Sequence, residues 1–180
     1  MALLGPIAVI ILIISLIYAQ LRWGPDYRKT FSRLVAQKQS SIIYYFIIFF
    51  IFLSLFSLFI ITSFTTRLNL PTSFTLIYFL SVASQLICVI VPEIGGNKTR
   101  IHIVAAGIMS ASVFVQVVLL ICLVHLSTTS FVICTLSLLL MALIWLVIIF
   151  KHNFAKYELA LQSIYFVSYL GALMAVYYIR

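Results

Sequence analysis

Residues 129–150 read TSFVICTLSLLLMALIWLVIIF. No charged side chain interrupts these 22 positions, and a helix that crosses a bilayer needs about 20 apolar residues. A run this long has hydrocarbon as its natural surroundings. Its flanks agree. Ser127 to Ser130 form a short uncharged turn before it, and Lys151-His152-Asn153 ends it.

The same pattern recurs on either side. Segments 4–21, 41–64, 72–91, 101–125 and 157–178 are each apolar enough to span. Gly24-Pro25-Asp26 separates the first two, Asn69-Leu70-Pro71 the next two, and Pro92 with Gly95-Gly96-Asn97 the third from the fourth. The expected fold is an all-α integral membrane protein: one domain over residues 1–180, a bundle of six transmembrane helices. The first segment has no positive residues ahead of it and a poor cleavage site at Ile17-Tyr18-Ala19, so it is expected to be a retained helix.

Composition supports this. Of the 180 residues, 65% are hydrophobic and only 8% charged, with a mean hydropathy of +1.27. A soluble domain carries about 25% charged residues to cover its water-facing surface. The net charge is +8. In this setting the expected partners are membrane lipids, with anionic headgroups at loops 1, 3 and 5. No nucleic-acid-binding pattern is present.

The basic residues orient the bundle. Loop 1 holds Arg22, Arg28, Lys29, Arg33 and Lys38, loop 3 holds Lys98 and Arg100, and loop 5 holds Lys151 and Lys156. Only Arg67 and Arg180 fall on the other side. Loops 1, 3 and 5 are therefore expected in the cytoplasm, with both termini outside the plasma membrane. All three acidic residues, Asp26, Glu93 and Glu158, lie on the same side as the nine basic ones, as do His102 and His152.

Helical spacing then selects inward faces. Ser81, Ser84, Gln85 and Cys88 share one face of the third segment. His102, Ala106, Met109, Val113 and Gln116 share one of the fourth, and Glu158, Gln162, Tyr165 and Tyr169 one of the sixth. Polar groups facing lipid lack partners, so these stripes should face other helices or a wet cleft. Interhelical hydrogen bonding is the plain reading. A cavity opening to the cytoplasm, with Glu93, His102 and Glu158 at its mouth, is the functional one. His102 is expected within one side-chain length of Glu93 or Glu158. Small residues pair at Gly107 and Ala111, and at Gly171 and Ala175. Packing within the monomer is their expected use and a dimer seam the alternative.

Most chemistry is excluded by spacing. His102 and His125 lie 23 residues apart, about 34 Å along a helix, and cannot share a haem. Asp26, Glu93, His102, His152 and Glu158 come from separate loops without HxxxH spacing, so no metal site is expected. No cofactor is expected. Ser32 lies in no GxSxG elbow and reads as an ordinary loop serine. No carboxylate lies deep in a span, which argues against a proton-driven carrier. Trp23 and Tyr27 among the basic residues of loop 1 suit the membrane interface. Cys122 and Cys134 are expected to be free thiols.

Six segments, Thr30-Phe31-Ser32-Arg33-Leu34 after the first, Pro92-Glu93 after the third, His102 opening the fourth and Tyr157-Glu158 opening the sixth resemble a family. It is the uncharacterised bacterial and archaeal membrane family numbered 998 among domains of unknown function, itself distantly like the FRAG/DRAM/Sfk group. The resemblance implies the six-helix fold and, through the wider group, lipid handling. Three positions depart from it: Arg33 stands where that family usually has an acidic residue, Glu93 where it commonly has Asp, and Leu159 where Arg often follows the Glu.

Together these features point to a membrane protein that binds lipid or a protein partner at its cytoplasmic face. Asp26, Arg28, Gln85 and Gln162 are the candidate ligand-binding residues. One alternative is a lipid-modifying enzyme using Glu93, His102 and Glu158 as catalytic residues. Another is a structural subunit of a membrane assembly. The oligomeric state is left open.

Overall fold

The computed structural model describes residues 1–23, 30, 32–33, 36, 38–91, 93, 95–150 and 157–179. Among them six helices are long and apolar enough to cross a membrane: α1 (Leu4–Trp23), α2 (Gln39–Leu68), α3 (Thr72–Ile90), α4 (Gly96–Leu123), α5 (Thr128–Phe150) and α6 (Glu158–Tyr178). No strand occurs among these residues.

The boundaries differ from the apolar segments where polar turns continue a helix. Helix α4 begins at Gly96 and takes in Asn97 to Arg100. Helix α2 runs on through a π-helical turn, Ile60–Phe64, to a last turn at Thr65–Leu68. Within this Thr/Ser-rich stretch, Thr62 donates to the Leu58 carbonyl at 2.7 Å and Thr65 to the Ile61 carbonyl at 3.0 Å. Hydroxyls that take up backbone carbonyls in this way bend helices. Asn69 ends α2 in the left-handed region (φ 51°). The Leu70 and Asn69 amides close back on the Thr65 and Thr66 carbonyls, and Pro71 stops any continuation.

Each helix packs most widely on a chain neighbour: α1 on α2, α3 on α4, and α5 on α6. Contacts of α2 with α3, and of α4 with α5 and α6, join these hairpins, and α1 touches α6. The up-and-down path puts both termini at one end, where the Tyr178 hydroxyl donates to the Ala2 carbonyl at 2.6 Å. Arg67 lies at that end too, its guanidinium 4.6 Å from the centre of the Tyr177 ring. The core is aromatic: Phe52, Phe56, Phe59 and Phe64 of α2 succeed one another at ring separations of 5.2 to 5.9 Å, and Tyr177 of α6 closes on the last two. Large apolar side chains such as Leu136, Leu139, Leu143 and Leu146 of α5 point outward.

The glycines correct one expectation. Gly107 and Gly171 are exposed, and a Cβ on either would meet nothing within 4 Å. The GxxxA glycines therefore do not let helices approach inside the monomer. Gly107 is five positions beyond inward-facing His102, about 140° round the helix. The close approach is at Gly5, where a Cβ would stand 2.8 Å from the Phe59 ring.

Because Phe59 is fully buried between Phe56, Phe64 and Tyr177, it has no room to yield. Gly5→Ala should cost about 1–3 kcal/mol, the usual cost of overpacking. Gly107→Ala should leave stability unchanged or raise it slightly. Thermal unfolding in detergent checks both, and equal effects at the two sites would contradict this packing.

Candidate functional site

The end that carries loops 1, 3 and 5 is organised by the turn between α3 and α4. Gly95 has φ +104° and Gly96 φ +58°, backbone conformations that favour glycine. The Gly95 amide donates to the Thr99 hydroxyl at 2.7 Å, which secures the start of α4. The turn brings His102 back against the end of α3, where its Nδ1 lies 2.8 Å from the Val91 carbonyl. A carbonyl only accepts, so Nδ1 carries a hydrogen and donates it. The Cys88 thiol donates to the His102 carbonyl at 3.7 Å.

Glu93 projects inward from the same turn, its side chain only 5% exposed. A carboxylate that deep needs charged and hydrogen-bonded company, and loop 1 supplies it. Arg33 Nη2 lies 2.6 Å from Glu93 Oε1. The Thr30 hydroxyl donates to Oε2 at 2.9 Å. The Glu93 amide donates to Ser32 Oγ at 3.1 Å, and the Arg33 amide to Thr30 Oγ1 at 3.1 Å. Arg33 also reaches the start of α6, with Nη1 at 3.6 Å from Glu158 Oε2. That distance is too long for a hydrogen bond, and Glu158 Oε2 is buried without one. A single guanidinium, 43% exposed, thus serves two carboxylates. It pins loop 1, the α3–α4 turn and α6 together.

The structure brings Glu93 and Glu158 together through Arg33. It gives His102 a different partner, the Val91 carbonyl, and among the described residues no ion pair joins His102 to either carboxylate. Gln85 is buried on α3, and Gln162 is half-buried on α6. Asp26, Arg28 and His152 lie outside the described residues. Thr30, Ser32 and Arg33 are the members that sequence reasoning did not assign. Ser32 is not an ordinary loop serine but a buried acceptor for the Glu93 amide. The signal was the Thr30-to-Leu34 stretch, which carried the resemblance without a stated role. Among the described residues no group of three His, Cys, Asp or Glu side chains could hold a metal. Cys122 and Cys134 are free, the first exposed and the second buried.

Deeper in the bundle the three polar stripes do face inward. Gln116 of α4 donates to Ser81 of α3 at 3.3 Å and accepts from the Tyr169 hydroxyl of α6 at 2.7 Å. Tyr165 donates to the Ser110 carbonyl at 2.6 Å. These are interhelical bonds of the plain kind.

Removing Arg33 would leave Glu93 buried without a counter-charge. Arg33→Ala is expected to cost about 2–3 kcal/mol, the lower range for an orphaned buried charge because the guanidinium is half exposed. Adding Glu93→Gln should recover part of that loss. A double-mutant cycle on unfolding temperatures reads the coupling, and purely additive effects would mean the pair contributes nothing.

Compared with known proteins, the chain finds no match: no family model, no curated protein and no solved structure matches it.

Proposed function

We propose that this chain is a multipass membrane protein that binds anionic lipid at the end that carries loops 1, 3 and 5. One observation carries the reading. The two carboxylates described at that end are both engaged by Arg33 within the fold. Arg22, Lys38, Lys98 and Arg100 are exposed there and form no ion pair among the described residues. Basic side chains at a helix end, with the local acids already occupied, are matched by headgroup phosphates at about 1 kcal/mol each. The positive-inside bias makes this the cytoplasmic end of a plasma-membrane protein with both termini outside. The likeness of loop 1 and the helix ends to membrane family 998 belongs to the same proposal and adds lipid handling only by analogy.

In nonionic detergent, added phosphatidylglycerol should raise the unfolding temperature more than phosphatidylcholine does. The difference should shrink near 1 M salt, where the screening length is about 3 Å, and in the Lys98→Gln/Arg100→Gln double variant. Equal shifts from the two lipids at low salt would refute headgroup binding. For the orientation, a cysteine placed in loop 1 or loop 5 of a cysteine-free variant should resist impermeant thiol reagents in intact cells. One at the C-terminus should react. The reverse pattern would place the site outside the cell.

A further inference from the structure

A recess opens between α2, α3, α4 and α6, walled by Phe49, Phe52 and Phe56, by Val82, by Met109 and by Phe166. It holds about 40 Å³ and is not fully enclosed. Phe52, Val82, Met109 and Phe166 each stand near the middle of their own helices. The recess therefore lies near the midplane of any bilayer these helices cross.

Apart from Gln85, its polar neighbours are already occupied. Tyr78 bonds Ser57 at 2.8 Å, Ser81 donates to the Tyr78 carbonyl at 2.7 Å and accepts from Gln116, and Tyr169 donates to Gln116. A buried water needs two to four polar partners, and an apolar cavity without them stays dry. At the midplane the available filler is hydrocarbon. The volume corresponds to roughly three water-sized spheres, which suits the end of one chain and not a fused ring system or two chains together. Half of a ~30 Å hydrocarbon core separates the recess from the basic end. A lipid whose headgroup sits at that end has its chain termini at the depth of the recess.

We infer that the recess between α2, α3, α4 and α6 receives the end of one acyl chain from a lipid of the leaflet at the basic end. The inference rests on the proposed lipid binding and gives it a second point of contact. The headgroup meets the basic side chains, and the chain end lies among Phe49, Phe52, Phe56 and Phe166.

The test uses the full chain in bilayer discs of phosphatidylcholine holding a little phosphatidylglycerol with a photoreactive group at one chain terminus. Crosslinks should concentrate on residues 49–56, 82, 109 and 166 over the outward face of α5 by roughly tenfold, the ratio that ~1.4 kcal/mol of preference gives. Excess unlabelled phosphatidylglycerol should abolish the recess signal. Val82→Phe or Met109→Trp, each checked for an unchanged unfolding temperature, should lower it by a similar factor. Labelling spread evenly over the recess and the α5 face, or insensitive to competitor, would overturn the inference even if the variants fail to fold. Where that happens while phosphatidylglycerol still stabilises the protein selectively, the recess falls alone and headgroup binding stands. Should phosphatidylcholine carrying the same group label the recess equally well, the recess stands and the headgroup reading falls.

Discussion

A polar group withdrawn from water into this bundle of six long apolar helices has to find its hydrogen-bond partner inside the protein. The backbone meets that demand by being helical across each span. Hydroxyls meet it locally: Ser112, Thr135, Ser163 and Ser168 each donate to the carbonyl four residues earlier, at 2.8 to 2.9 Å. Larger polar groups also reach past their own helix, and they tie neighbouring helices together: Gln116 donates to the Ser112 carbonyl four residues earlier and still bonds outward. Gln116 spans α3, α4 and α6 by bonding Ser81 and Tyr169. The contacts among these three helices are thus tied to the same requirement that makes them helices.

At the basic end the constraint changes character, because charge is now being buried. Glu93 could not sit at 5% exposure without Arg33, Thr30 and Ser32. Thr30, Ser32 and Arg33 of loop 1 and Glu93 of the α3–α4 turn thus hold one another in place. Glu158 is the less satisfied partner, held by attraction across 3.6 Å with its Oε2 left without a hydrogen bond. With one cation shared between the two described carboxylates, Arg22, Lys38, Lys98 and Arg100 are left exposed at that end. That surplus links the internal geometry to the proposed lipid contact.

Leucines and isoleucines cover α5, and Gly107 and Gly171 face outward beside them. Small residues in a span are read as seams because they permit close approach. Here approach is closest at Gly5, where α1 lies on the Phe59 ring at the beginning of the π-helical turn. Spacing alone does not separate these cases, since a glycine pair has the same period whether or not another helix lies over it.

The sequence by itself determined how many helices there are, nearly where they end, and that the polar stripes on α3, α4 and α6 turn inward. All of these follow from local properties: the length of an apolar run, the turn residues that break it, and the period of 3.6. The same local information placed Glu93, His102 and Glu158 at one end. It could not pair them, because a partner at the end of a loop is chosen by three-dimensional proximity and by the cost of leaving a charge bare. Tertiary structure alone decided that Arg33, counted from the sequence only as an orienting charge, gathers Glu93 and Glu158. It also decided that Ser32 is buried beneath them, and that His102 gives its Nδ1 hydrogen to Val91. Desolvation is the physical reason: a carboxylate withdrawn from water takes the nearest cation and donors that the fold brings to it, whatever their distance along the chain.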